Sequence, residues 1–125
     1  MTIDELNRIP GLSAEVAQLD ADLAAIPCPI SGPVWAAAVN AAWDELRAVW
    51  QDRRDRSARQ LDQLRAFING IQDTDTRDVF RLYFIYGRTW PEIGAALQGR
   101  RSLDTTETGL QRLVSEYMKK VNDHE

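Results

Sequence analysis

Between Val34 and Ile68 the chain contains neither glycine nor proline. A run of that length without a breaker commits the backbone to regular structure and constrains the fold more tightly than anything else in the sequence. Within it Val39, Trp43, Leu46 and Trp50 recur at spacings of four, three and four, and Leu61, Leu64, Ile68 and Ile71 resume the rhythm. That period predicts one helix of about 35 residues, ~50 Å long at ~1.5 Å per residue. Its middle, Gln51 to Gln60, is charged nearly all round. Such a stretch is either solvated between two packed ends or paired through charged seams.

Punctuation on both sides divides the rest. Ile26-Pro27-Cys28-Pro29-Ile30-Ser31-Gly32-Pro33 is neither helix nor central strand and reads as a linker. Before it, Thr2 to Arg8 is expected to stop at a Pro10-Gly11 turn, and Ser13 to cap a helix carrying Val16, Leu19, Leu23 and Ile26. After the long run, Asn69-Gly70 weakens the helix and Asp73-Thr74-Asp75-Thr76 supplies several caps for the next. Val79, Phe80, Leu82, Tyr83 and Ile85, with Tyr86 beside them, form the most apolar window, read as a buried helix that Gly87 ends. Thr89-Trp90-Pro91-Glu92 carries a capping box with proline in the first turn. Ile93, Ala96 and Leu97 form the next buried stripe, and Gln98-Gly99 breaks it. Leu103, Leu110, Leu113, Val114, Tyr117, Met118 and Val121 describe a last amphipathic helix, capped by Ser102 or Asp104. The expected architecture is all-α: an N-terminal helical segment and Pro-rich linker over 1–33, the long helix over 34–72, and a helix-turn-helix module over 73–125.

Charge and composition narrow the function classes. A chain of 125 residues builds one modest core. A net charge of −4 argues against non-specific coating of nucleic acid. The balance is uneven: residues 1–76 sum to −5 and residues 77–125 to +1, which permits DNA binding by the C-terminal part. Trp35, Trp43, Trp50 and Trp90, set at helical spacing, are read as core. Cys28 is alone, which excludes an internal disulfide and fits a reducing, cytoplasmic setting. No apolar run approaches the ~20 residues that span a bilayer, so a soluble, unexported protein is expected. The only histidine, His124, sits one residue from the end of the sequence. No His/Cys set has metal-ligand spacing, and neither a phosphate loop nor a nucleophile elbow is present. The expectation is a non-enzymatic protein without cofactor or metal.

The informative stretch is Arg81 to Val121, where a short helix leads through a glycine-bearing turn to a longer one. That order matches a helix-turn-helix, in which the first helix crosses the DNA backbone and the second enters the major groove. Gly94, Ala95 and Ala96 are small enough for the two to approach closely. The segment Leu82 to Leu97, and above all Gly87-Arg88-Thr89-Trp90-Pro91-Glu92-Ile93, resembles the Gly-x-[Ser/Thr]-Trp-x-Glu-Ile core of sigma-factor region 4-like domains. It is most similar to phage transcription regulators of the RinA and ArpU (autolysin-regulator) kind, which share the layout of N-terminal helices, a long helix and this module. The resemblance implies a sequence-specific regulator of promoter DNA, working in the cytoplasm of a bacterial host. Carried over residue by residue, Trp90 and Ile93 become core, and Arg88 and Thr89 meet phosphate. Thr105, Thr106, Thr108 and Arg112 face the groove, while Arg100 and Arg101 clamp a phosphate or reach a guanine edge. Two departures stand out: Gln98 to Asp104 does not reproduce the usual turn, and Gly109 costs the second helix about 1 kcal/mol relative to Ala.

Partners implied by this reading are double-stranded DNA, a second copy of the chain, and RNA polymerase or another protein through the long helix. A competing reading is an acidic helical adaptor or inhibitor that keeps the fold but targets a protein, such as RNA polymerase or a host defence complex. A small phage-packaging subunit, combining such a module with a coiled coil, is a third.

Overall fold

Six α-helices and one π-helical turn form the regular structure of residues 1–123, the part of the chain that the computed structural model describes. They are α1 (Ile3–Leu6), α2 (Ile9–Ala24), α3 (Val34–Asn69), α4 (Thr74–Phe80), the π turn Arg81–Ile85, α5 (Trp90–Ala96) and α6 (Glu107–Asp123). No strand occurs among the described residues, so the architecture is all-α. The breaker-free run is a single 36-residue helix, as its period predicts. His124 lies outside the described residues.

The expected Pro10-Gly11 turn does not form. Helix α2 starts at Ile9 and runs through both residues. Pro10 falls in the first turn, where a backbone N–H has no intrahelical partner and its absence costs nothing. Ser13 is therefore inside the helix instead of at its cap.

By compactness the chain divides into two units. One is Gly11–Leu61; the other joins Met1–Pro10 to the chain from Asp62 onward.

Within Gly11–Leu61, buried apolar side chains are few: Leu19, Ala36 and Leu61, with Ser57 beside them in burial. Glu15 accepts from Arg53 at 2.9 Å and Asp20 from Arg54 at 2.8 Å, which seats α2 well past the start of α3. The linker covers part of what α2 leaves open. Asn40 accepts from the Ile30 amide at 3.0 Å and donates to the Ile30 carbonyl at 2.7 Å. The tryptophans expected in the core are not there: Trp35 is 61% exposed, and Trp43 and Trp50 are half-buried. Val39 and Leu46 are exposed too. The charged middle of α3 meets α2, while the apolar start of α3 faces solvent. Leucine and tryptophan at helical spacing mark a sticky face, and the sequence does not say whether the chain itself covers it.

The second unit is packed conventionally. Leu6, Ile9, Ile68, Ile71, Val79, Phe80, Phe84, Ile93 and Leu110 are all essentially inaccessible. Phe80 sits against Phe84 (ring centroids 5.4 Å apart) and edge-on to Tyr117 (5.3 Å), joining α4 and the π turn to α6. Asp73 is the cap chosen for α4, accepting from the Thr76 amide at 3.0 Å and the Thr76 hydroxyl at 2.7 Å. Those two bonds hold its carboxyl below the usual range, with the Arg77 charge adding to the effect. The apolar window after it is helical, but its last turn widens. The Tyr86 amide donates to the Arg81 carbonyl at 3.0 Å, a five-residue step. Gly87, at φ 64°, then takes the left-handed position that ends the helix.

Candidate nucleic-acid interface

Helix α5 is fixed at its start by a capping box. Thr89 accepts from the Glu92 amide at 3.4 Å, and Glu92 accepts from the Thr89 amide at 3.2 Å, closing the capping box. Glu92 also accepts a hydrogen bond from the Thr89 hydroxyl at 2.9 Å. The hydroxyl and amide of Thr89, with Arg88 behind them, lower the Glu92 pKa. Trp90 lies flat on Tyr83, ring centroids 4.2 Å apart and planes 13° from parallel, while Ile93 is fully buried. Trp90 is thus a half-buried lid on the π turn, and Ile93 is the core residue of this helix.

The connection to α6 covers residues 97–106, about three times the 3–4 residues of an ordinary helix-turn-helix. It is built, not slack. Gly99 takes φ 96°. A Cβ at Gly94 would lie 2.6 Å from the Thr105 carbonyl oxygen, so the connection rests directly on α5 and only glycine admits it. Arg100 reaches back to α4, donating to Asp75 and to Asp78, each at 2.8 Å. The two hydrogen bonds raise its pKa further above the ordinary arginine value.

Helix α6 begins later than either expected cap. Neither Ser102 nor Asp104 caps it; the Gly109 amide donates to the Thr106 hydroxyl oxygen at 3.1 Å. Asp104 instead accepts from the Thr106 amide (3.0 Å) and hydroxyl (2.7 Å), which pull its pKa down, with Arg112 contributing. Asp104 packs over Gly109, where an added Cβ would overlap its carboxyl group. The glycine counted as a cost to the helix is the space this loop needs.

The eight residues picked from sequence as the DNA-binding set separate accordingly. Arg100 is committed to Asp75 and Asp78, and Thr106 to capping α6. The Thr89 hydroxyl is committed to Glu92, and Arg88 is exposed with its guanidinium 3.8 Å from the same carboxylate. Thr105 is half-buried against Gly94, before the helix begins. Arg101, Thr108 and Arg112 are exposed, and the last two lie on α6.

Arg112 belongs to a longer feature. Leu110, Val114 and Met118 face the core, and Thr108, Arg112, Ser115, Lys119 and Asn122 follow one another at spacings of four, three, four and three on another side. All five are exposed, all can donate hydrogen bonds, and none is acidic. Glu116 and Asp123 flank the row, and Glu107 stands at the first turn. The residues expected from sequence end at Arg112, and the helical period of α6 continues the row to Ser115, Lys119 and Asn122.

Among the described residues no cluster of His, Cys, Asp or Glu could hold a metal ion, and no helix is long and apolar enough to cross a membrane. Comparison with protein-family profiles, curated proteins and solved structures finds no match to this chain.

Proposed function

We propose that the chain is a DNA-binding transcription regulator of sigma region 4-like, phage-regulator type that lays α6 into the major groove. The observation that carries this reading is the acid-free, donor-bearing row Thr108, Arg112, Ser115, Lys119, Asn122 on the exposed side of α6. A groove ~12 Å wide admits one helix, and its base edges and rims are read by residues of this kind. Arg112 reaches a guanine edge; Lys119 and Arg101 neutralise phosphates, with Arg88 on the α5 side. Arg100 acts indirectly, holding the 97–106 connection against α4 so that the start of α6 is fixed.

The carboxylates of Asp104 and Glu107 beside the first turn of α6 favour the competing reading, a helical adaptor that binds a protein such as RNA polymerase. One titration separates the two. Labelled duplex from upstream of the chain's own gene is followed by fluorescence anisotropy at two salt concentrations. The regulator binds saturably, its log affinity falls linearly with log salt, and Arg112→Ala weakens it roughly 10-fold or more. Absence of saturable binding at low salt leaves the adaptor reading standing.

A further inference from the structure

The start of α3 presents an apolar face that nothing in its own unit covers. Among the described residues every exposed large hydrophobic except Tyr86 lies between Ile30 and Val49. On the helix these side chains form a second seam beside the half-buried row. Trp35 (61% exposed), Val39 (37%), Ala42, Leu46 (40%) and Val49 (62%) recur at four, three, four and three residues. That spacing sets them in one narrow row along α3, the kind of seam that a second helix can bury.

We infer that this seam binds a second copy of the chain, with the two α3 segments antiparallel and crossing at Ala42. Three observations fix the occupant. The seam is self-complementary in size: a two-fold axis at Ala42 sets Trp35 against Val49 and Val39 against Leu46, with the smallest residue where the helices come closest. Its charged continuation selects the direction. The same period runs on to Arg53 and Arg56. Arg53 is paired with Glu15 and Arg56 with Asp52, and a parallel, in-register pair would still set each of these long charged side chains on its own copy in the seam, whereas the antiparallel pair carries them past opposite ends of the apolar stretch. The exposed area is also of the right order. The four large seam side chains leave roughly 400 Å² in water, and Ile30 and Val34 beside them bring the exposed apolar surface to about 600 Å², the upper end for a lone monomer and approaching the ~800 Å² per partner of a standard interface. The geometry of α2 explains why the seam is free: Glu15 and Asp20 hold α2 to Arg53 and Arg54, past the seam's end. This pairing does not depend on what α6 binds.

The test uses the full chain. Sedimentation equilibrium at tens of micromolar gives twice the 14.2 kDa chain mass. Leu46→Glu and Val49→Glu each weaken the dimer at least about tenfold, because an unpaired carboxylate enters a dry seam. Both variants keep the wild-type helical circular dichroism, since neither side chain is buried within the chain. In a Cys28→Ser background, Ala42→Cys crosslinks to its own copy on oxidation and Val49→Cys does not. A monomer at these concentrations, whether its patch is covered by the chain itself or reserved for another protein, overturns the proposal. So do a mass other than the dimer's, a dimer that survives both glutamate variants, and a Val49→Cys crosslink as efficient as that of Ala42→Cys.

Discussion

Among the described residues, the unit formed by Met1–Pro10 and the chain from Asp62 onward buries thirteen apolar side chains, and Gly11–Leu61 buries three. Both contain part of α3, so helix-forming tendency does not explain the contrast. In the first unit cohesion comes from ring packing around Phe80 and from aliphatic burial, each large side chain contributing ~1.5–3 kcal/mol. In the second, burial of Leu19, Ala36 and Leu61 is supplemented by the Arg53–Glu15 and Arg54–Asp20 pairs and the Asn40 clamp on Ile30, which are individually weak. The well-packed unit can hold α6 rigidly toward a ligand. The sparse unit keeps its apolar surface outside, where association can use it.

The contrast fails or sharpens first at Phe80. Phe80→Ala removes a fully buried ring and should cost about 3–5 kcal/mol, against ~2 kcal/mol for Leu19→Ala in the sparse unit; urea unfolding read by circular dichroism compares them. Next is Gly109→Ala. Helix propensity alone makes it stabilising by about 1 kcal/mol, but overlap with Asp104 should reverse the sign and cost ~1–3 kcal/mol. Adding Asp104→Ala removes the carboxyl part of the overlap and leaves only the Cβ contact, so a double-mutant cycle should show positive coupling. If Gly109→Ala is stabilising by itself, the loop is not held over α6 as described.

Acid should act on the caps of α4 and α5 and on the connection before α6. Asp73, Glu92 and Asp104 all have pKa values lowered by hydrogen bonds from Thr76, Thr89 and Thr106, respectively. A carboxyl lowered on folding contributes stability that is fully present above its unfolded value and lost as pH falls through the folded one. The loss therefore begins near the ordinary values of 4.5 for Glu92 and 3.8 for the two aspartates and continues below them. Thermal melts between neutral pH and pH ~3 should fall only in that lower range, and Asp73→Asn should blunt the fall. The smallest effect belongs to the sparse unit: Arg53→Ala, which breaks one exposed pair, should change stability by no more than about 0.5 kcal/mol.

What the sequence made legible was local. The breaker-free run, the Pro-rich linker, the Thr89–Glu92 box and the left-handed Gly87 each depend on residues a few positions apart, and each appears where the pattern puts it. What it hid was long-range. Nothing local distinguishes Arg100, bound to Asp75 and Asp78 across more than twenty residues, from exposed Arg101 next to it. Pro10-Gly11 reads as a turn until Ile9 is known to open the helix, and Gly109 reads as a defect until Asp104 is seen lying over it. The tryptophans of α3 show the limit most clearly: helical spacing identifies one face, and the position of α2 decides whether that face is inside.

Amide chemical-shift mapping during titration with duplex DNA tests most directly whether α6 is the reading surface. The account predicts shifts concentrated at Arg101, Thr108, Arg112, Ser115, Lys119 and Asn122, weakening as salt rises. Shifts confined to residues 34–50, or none along α6 at saturating DNA, would contradict it.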